Sequence, residues 1–296
     1  MIKYKYMPEL PEVETVKRGL KGFILGAKLT RVEVLCEKLF MGDYGLVVGA
    51  KVQDIRRFGK ALVVDLSNGY SLMIHLRMTG QLIYDGAERY AAGHPSENFV
   101  AELPNKQTRV VLELNNGTLY FNDQRKFGFI KVLKTNEVGE DTFIRKLGKE
   151  PWKMTDKELY EKLQRRKGSA VKAVILDQTV ISGLGNIYAD EALFRAGVHP
   201  ARKAGSLSLQ ETSWLLAAAR EVMEKSIESG GSTMRNYVKA DGSRGNYLDL
   251  FALVYHRDGE PCTKCGAEIL KIKVSGRGTH FCPRCQRLSE AAGGRG

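Results

Sequence analysis

CTKCGAEILKIKVSGRGTHFCPRC, residues 262–285, is the stretch on which the architecture turns. Its two Cys-x2-Cys knuckles, Cys262/Cys265 and Cys282/Cys285, stand sixteen residues apart, the spacing of a closed four-thiolate site. Four thiolates fill the coordination sphere of one Zn2+ and leave no place for a reactive water, so the ion is expected to be structural. Between the knuckles, KIKVSGRGTHF is predicted to form a β-hairpin with Arg277 at its turn. Such a module suits a plain nucleic-acid binder as well as an enzyme, and Arg277 reads equally as a solvated loop arginine. Four of the five cysteines lie in this stretch and Cys36 stands alone, which argues for a metal and against a disulfide framework.

Working back from the knuckles, Thr233 to Tyr247 is polar and glycine-containing and is predicted to be a mobile loop. Before it the hydrophobic period is helical. Helices are predicted over 156–165, over 169–177 with Ser169 as N-cap, and over 187–196 with Asn186 as N-cap and Gly197 just past the end. A fourth, over 209–228, opens on the capping box Ser208-Leu209-Gln210-Glu211. Its expected buried stripe is Trp214, Leu215, Ala218, Val222 and Met223, and Gly230-Gly231 stops it. From 28 to 135 the pattern changes to strands, with hairpins around Ser67-Asn68-Gly69 and Asn115-Asn116-Gly117, so this half reads as a β-sandwich or barrel. Residues 85–108 read as a long loop on it. Nearer the start, Pro11, an acidic first turn and apolar Val13, Val16 and Leu20 predict a helix over 11–21 that Gly22 would end.

The chain has 296 residues, 43% of them hydrophobic, enough for two domains and an appendage. Lys and Arg outnumber Asp and Glu 46 to 34, and the net charge of +12 should draw a polyanion, although a basic balance also describes many solvated surfaces. No run of 18 apolar residues exists, and MIKYKYMPELPEVE lacks the apolar segment of a signal peptide, so an intracellular protein with no membrane partner is expected.

Met7-Pro8-Glu9-Leu10-Pro11-Glu12-Val13-Glu14-Thr15 resembles the N-terminus of the formamidopyrimidine-DNA glycosylase (8-oxoguanine-DNA glycosylase) family. The resemblance continues through HLRMTG at 75–80, DQRKFG at 123–128, SGLGNIYADE at 182–191, GGST at 230–233 and GRGTHFCPRCQR at 276–287. It implies an α+β multidomain fold: an N-terminal β-sandwich with a buried first helix over 8–145, a helix-two-turn-helix domain over 150–250 and a four-cysteine zinc-finger hairpin over 251–287. Residues 1–6 would be a start-site extension and 288–296 a disordered tail. The implied activity is that of a bifunctional glycosylase and AP lyase of base-excision repair, which removes 8-oxoguanine and formamidopyrimidines. Its partner would be damaged double-stranded DNA lying between the two halves, and the protein a monomer in the bacterial cytoplasm, associated with the nucleoid.

The residues carry the chemistry as follows. An N-terminal amine has a pKa of about 8 against about 10.4 for lysine, so about a tenth is neutral at pH 7. A free Pro8 amine could therefore attack the sugar C1', expel the base and form a Schiff base that favours elimination of both flanking phosphates. Glu9, beside it, suits a general acid and base, and Glu12 resembles the family's second acidic residue. Either carboxylate could instead merely compensate a helix N-terminus. Lys60 falls where the family places a lysine on phosphate, and could also be a strand-edge lysine. Met78, Arg125 and Phe127 match the trio that fills the gap left by a flipped base, although Met78 and Phe127 by composition alone suit a core. Asn186 at a loop-to-helix junction can hold a phosphate oxygen, as can an N-cap, and His75, Tyr255 and Arg277 resemble further phosphate or lesion contacts.

Two features depart from the family pattern. MIKYKY precedes the expected start, and only translation from Met7 followed by its removal would free the Pro8 nitrogen. KQTRV at 106–110 stands where the family more often has histidines. The rival readings are an endonuclease VIII-like glycosylase for oxidised pyrimidines and a non-catalytic zinc-ribbon protein that binds DNA.

Overall fold

The computed structural model describes residues 7–94, 101–231 and 252–288. The 1–6 prefix, part of the 85–108 segment, the Thr233 to Tyr247 loop and the tail from 289 lie outside the described residues. The chain divides into two compact units, one built on residues up to Arg145 and the other on Lys146–Glu228 with the zinc-module residues. Among the described residues no helix is long and apolar enough to cross a membrane.

The first unit opens with helix α1, Leu10–Ile24, which has Pro11 at its start and Glu12 in its first turn. Val13, Val16, Leu20 and Ile24 lie on its buried face. The helix runs past Gly22, where it was expected to stop. A mid-helix glycine costs only about 1 kcal/mol, and full burial of Ile24 two residues on offsets that.

Ten strands follow: β1 (Leu29–Val34), β2 (Phe40–Met41), β3 (Val52–Phe58), β4 (Ala61–Leu66), β5 (Tyr70–His75), β6 (Gly80–Gly86), β7 (Arg89–Gly93), β8 (Thr108–Leu114), β9 (Gly117–Asp123) and β10 (Phe129–Lys134). They form two five-stranded sheets, ordered β1-β8-β9-β6-β7 and β2-β10-β5-β4-β3. The architecture is therefore a sandwich and not a closed barrel. One apolar core joins residues of both sheets to Val13, Val16, Leu20 and Ile24 of α1. Both expected hairpins are present, and Gly69 turns β4 into β5 at a φ of +82° that favours glycine. The predicted 85–108 loop is partly strand. In β7, RYAAG is too short to show a period, but it pairs with β6 and buries Tyr90, whose ring stacks on Phe23 with centroids 5.2 Å apart. A short helix, α2 (Thr142–Arg145), closes the unit.

The second unit contains α3 (Asp156–Arg165), α4 (Val171–Leu176), α5 (Asn186–Arg195), α6 (Leu209–Glu228) and a hairpin of β11 (Leu270–Val274) and β12 (Arg277–Phe281). A reciprocal box caps α3, with Glu158 N donating to Thr155 Oγ1 at 3.2 Å and Thr155 N to Glu158 Oε2 at 2.9 Å. Ser208 and Glu211 do the same for α6.

Three local expectations are corrected. Ser169 does not cap α4; Ala170 does, because its backbone bridges Lys203 and Val171 N donates to Arg202 O at 2.8 Å, which fixes the start of the helix two residues later. Asn186 is the first helical residue of α5 and Gly185 is the cap. Trp214 is 55% exposed. One residue is about 100° around a helix, which rotates Trp214 off the face made by Leu215, Ala218, Val222 and Met223.

Candidate active site and metal centre

In the first unit the sequence places Pro8 and Glu9 immediately before α1, and both are buried. The Glu9 backbone N–H donates to Glu12 Oε2 at 2.9 Å, so Glu12 closes the helix start over the residue that follows Pro8. A turn further on, Glu14 is paired with Lys17, Arg18 and Arg57 at 2.8–3.0 Å. Burial pulls its carboxyl upward, but hydrogen bonds from the three cations outweigh that and hold its pKa at about 2. Arg57 thereby ties α1 to β3.

Lys60 and His75 are brought together by strand register. Ala61 of β4 lies opposite His75 of β5, and Phe129 of β10 faces His75 from the other side. Both Lys60 and His75 are buried. Burial first, then the charges of Arg77 and Lys60, drive the His75 pKa down to about 3. Its imidazole is neutral at physiological pH. Nδ1 accepts the Arg77 backbone N–H at 2.9 Å, which leaves the ring proton on Nε2.

Met78, Arg125 and Phe127 also converge. Arg125 Nη1 lies 3.0 Å from Met78 Sδ, and the Arg125 guanidinium sits 4.7 Å from the centroid of the Phe127 ring. Phe127 is 53% exposed, too open for the core role its composition allows. The buried carboxylate of Asp123 explains this exposure. It accepts from the Thr79 hydroxyl, from Arg125 N at 3.1 Å, from Phe127 N at 2.8 Å and from Gly128 N at 2.7 Å. One carboxylate thus sets the loop that presents Arg125 and Phe127, and it fixes that loop to the turn carrying Met78. Asp123 and Thr79 were not among the expected site residues. The only sequence sign was that Asp123 opens DQRKFG.

In the second unit Arg277 is exposed at the first position of β12, beside the tight turn Ser275-Gly276. The Asn186 amide donates to Gly278 O at 3.1 Å, so Asn186 and Arg277 are held on one local surface. Beneath them Lys172 and Asp190 form an ion pair at 2.6 Å, both fully buried. Lys172 Nζ also donates to Gly278 O at 3.1 Å and Thr279 Oγ1 at 2.8 Å, and Asp190 Oδ2 accepts the His280 N–H at 2.9 Å. The hairpin is thereby bolted to α4 and α5. Tyr255 is buried, not solvent-facing, and Glu191 accepts the backbone N–H groups of Leu253, Val254 and Tyr255 at 2.8–3.0 Å. Burial pushes the Glu191 carboxyl upward against those three amides. Lys172, Asp190 and Glu191 escaped the sequence reading, because charged residues on a helix normally mark its solvated face.

The four cysteines converge in the same unit. Cys262 Sγ lies 3.9 Å from Cys285 Sγ, and Cys265 Sγ 3.5 Å from Cys282 Sγ. A tetrahedral ion with Zn–S bonds of about 2.3 Å needs sulfurs about 3.8 Å apart, so the cluster fits one Zn2+. Lys264 N and Cys285 N each point at a sulfur at 3.4 Å, as N–H groups in metal knuckles do.

Three family models match the chain: the formamidopyrimidine-DNA glycosylase N-terminal domain over residues 7–130, the formamidopyrimidine-DNA glycosylase H2TH domain over 147–238, and the zinc finger found in FPG and IleRS over 259–288. Among curated proteins, the formamidopyrimidine-DNA glycosylase of Pelotomaculum thermopropionicum is 41% identical over 289 residues, covering 95% of this chain and all of the relative. That of an Exiguobacterium species is 42% identical over 290 residues, with the same coverage. Two solved structures of Lactococcus lactis Fpg superpose closely: a point variant bound to Fapy-dG containing DNA, with a TM-score of 0.83, and the wild-type protein bound to an oxidised pyrimidine containing DNA, with a TM-score of 0.82. Each is 35% identical in sequence, and the match covers 95% of this chain and all of theirs.

Proposed function

Because the chain belongs to the formamidopyrimidine-DNA glycosylase family, we infer that it is a DNA glycosylase and AP lyase of base-excision repair, acting on oxidised purines in duplex DNA. The observation that carries the reading is the convergence of Met78, Arg125 and Phe127 at an exposed edge of the unit that also buries Pro8, Glu9 and Lys60. An apolar chain, a planar cation and an aromatic ring together can replace the stacking and pairing lost when a base leaves the duplex.

In the reaction the Pro8 nitrogen, freed of the residues before it, attacks C1' of the damaged nucleotide, the base departs, and an iminium forms. Glu9 delivers a proton to the sugar or the leaving base and moves protons through the following β,δ-elimination. Glu12, already hydrogen-bonded at the helix start, holds the reacting sugar electrostatically. Lys60 takes the phosphate next to the lesion, and neutral His75 keeps a second positive charge away from Lys60 while its Nε2–H remains available as a donor. Asn186 and Arg277 grip backbone phosphates on the second unit, and buried Tyr255 acts by shaping the turn beneath them. Zn2+ on Cys262, Cys265, Cys282 and Cys285 holds the hairpin and supplies no reacting atom.

We assign the catalytic chemistry to 8–145 and phosphate binding to 150–250 and 251–287. The relatives are bacterial proteins, which supports a cytoplasmic enzyme, and we assign it to the nucleoid as a monomer. The purine reading is tested by incubating matched duplexes that contain 8-oxoguanine, formamidopyrimidine or thymine glycol with protein whose N-terminus is Pro8. Faster release of the two purine lesions is expected; faster release of thymine glycol would assign the chain to pyrimidine repair.

A further inference from the structure

Apart from the four-cysteine centre, the second unit gathers a further set of metal-ligating side chains. The donor atoms of His256, Asp258 and His280 all lie within 4.8 Å of one another. His280 is the fixed member: it is 2% exposed, sits on β12, and its backbone N–H is held by Asp190. Its Nδ1 lies 3.4 Å from Asp190 Oδ2 and its Nε2 3.2 Å from Asp258 Oδ1. Among the described residues neither ring nitrogen makes a hydrogen bond of acceptable geometry. An imidazole buried to that degree ordinarily commits its nitrogens to hydrogen bonds or to a metal.

The other two donors come from the turn after Tyr255. His256 is half-buried, its ring centroid is 5.0 Å from that of His280, and its backbone holds a φ of +57°. That left-handed conformation suits glycine better than a histidine, so the turn carries an imidazole where a residue without a side chain would fit with less strain. Asp258 leaves 41% of its side chain open to solvent.

We propose that His256, Asp258 and His280 form a second metal site, which takes a divalent transition ion, Zn2+ foremost, independently of the four cysteines. Two imidazoles and one carboxylate suit Zn2+, Cu2+ or Ni2+ and not Mg2+, which demands an oxygen shell. Zn–N and Zn–O bonds of about 2.0–2.1 Å require donors about 3.4 Å apart. Rotation of half-buried His256 and exposed Asp258 toward immobile His280 closes the difference. Asp190 stands at Nδ1, where an outer carboxylate orients a ligating imidazole, and leaves Nε2 to face the ion. Lys172, paired with Asp190, fixes that carboxylate in turn. Lys271 Nζ, 3.8 Å from Asp258 Oδ1, is the competing cation, and as an exposed partner it is displaced at little cost. Three protein ligands leave a fourth position for water, and the bound ion would clamp the Tyr255 turn to β12.

The test uses the full chain loaded with Zn2+ and dialysed, with metal counted by mass spectrometry, and a parallel titration of the Zn2+-loaded protein with Co2+. Wild-type protein is expected to hold two ions, one resisting a mild chelator and one yielding to it, and the added Co2+ to show visible bands without thiolate charge transfer. His256→Gly, which relieves the strained turn, and Asp258→Asn should each weaken the second ion at least tenfold and leave the first in place. One ion in the wild type, or a second ion that binds both variants as tightly as the wild type, would overturn the proposal. Neither variant replaces a residue assigned to DNA or to the reaction; His256 does pack on Tyr255, with ring centroids 4.6 Å apart, so the metal count and not glycosylase activity decides, and Asp258→Asn repeats the test from a side chain outside that ring contact.

Discussion

Asp123 reacts with nothing, yet four donors end on its carboxylate and the loop bearing Arg125 and Phe127 depends on it. Asp123→Ala is expected to cost about 2–3 kcal/mol of stability in a urea titration, because three backbone N–H groups and the Thr79 hydroxyl lose their shared acceptor. Phe127→Ala should leave the midpoint nearly unchanged, since the ring is already 53% exposed, and yet slow excision from duplex DNA at least tenfold. Equal excision by the two proteins would remove Phe127 from the gap-filling trio. His75 gives a pH test. Its folded pKa of about 3 lies below the ordinary 6.5, so the unfolded chain binds the extra proton between those values and stability falls as pH drops through that window. Between pH 7 and 4.5 this contributes about 2–3 kcal/mol, and His75→Gln should flatten that part of the profile. Glu14, with a folded pKa of about 2, also loses stability on acidification, but mostly below pH 4.5. At this scale the sequence was legible where a contact is local: each cysteine pair is a knuckle, and the two knuckles converge. Asp123 was not, because its partner Thr79 is 44 residues away and only folding joins them.

Among the elements, strands and helices with strong periods or caps were readable: α3 and α6 have the expected bounds, and the Asn116-Gly117 hairpin is in place. Errors fell where tertiary pairing overrides a local signal. Ser169 yields its cap to a backbone bridge with Lys203, and β7 exists because Tyr90 finds Phe23. The bond between α4, α5 and the hairpin is the buried Lys172–Asp190 pair, invisible to periodicity. Removing one partner by Lys172→Met should strand a buried carboxylate and cost about 3–5 kcal/mol. It should also weaken DNA binding through Arg277, and a variant that binds DNA as the wild type does would show the hairpin to be positioned by its metal alone. Withdrawing Zn2+ with a strong chelator should abolish DNA affinity while the far-ultraviolet signal of the sandwich persists, since the first unit has its own core. Simultaneous collapse of both signals would argue that the units fold as one.

For the molecule as a whole, the net charge of +12 foretold a polyanion without saying which, and the motifs in order along the chain supplied the family. With about five or six phosphates neutralised, the logarithm of the binding constant should fall with the logarithm of salt at a slope near −5. The central claim is that the sandwich unit, which buries Pro8 just before α1, uses the Pro8 nitrogen as a nucleophile. Borohydride trapping on an 8-oxoguanine duplex tests it most directly, run in parallel on the 296-residue chain and on protein whose N-terminus is Pro8 by mass. A covalent protein–DNA adduct is predicted only when the proline nitrogen is free, and absent when Pro8 is preceded by other residues. Equal adduct from both proteins would move the nucleophile to another amine, and no adduct from either would contradict the lyase mechanism.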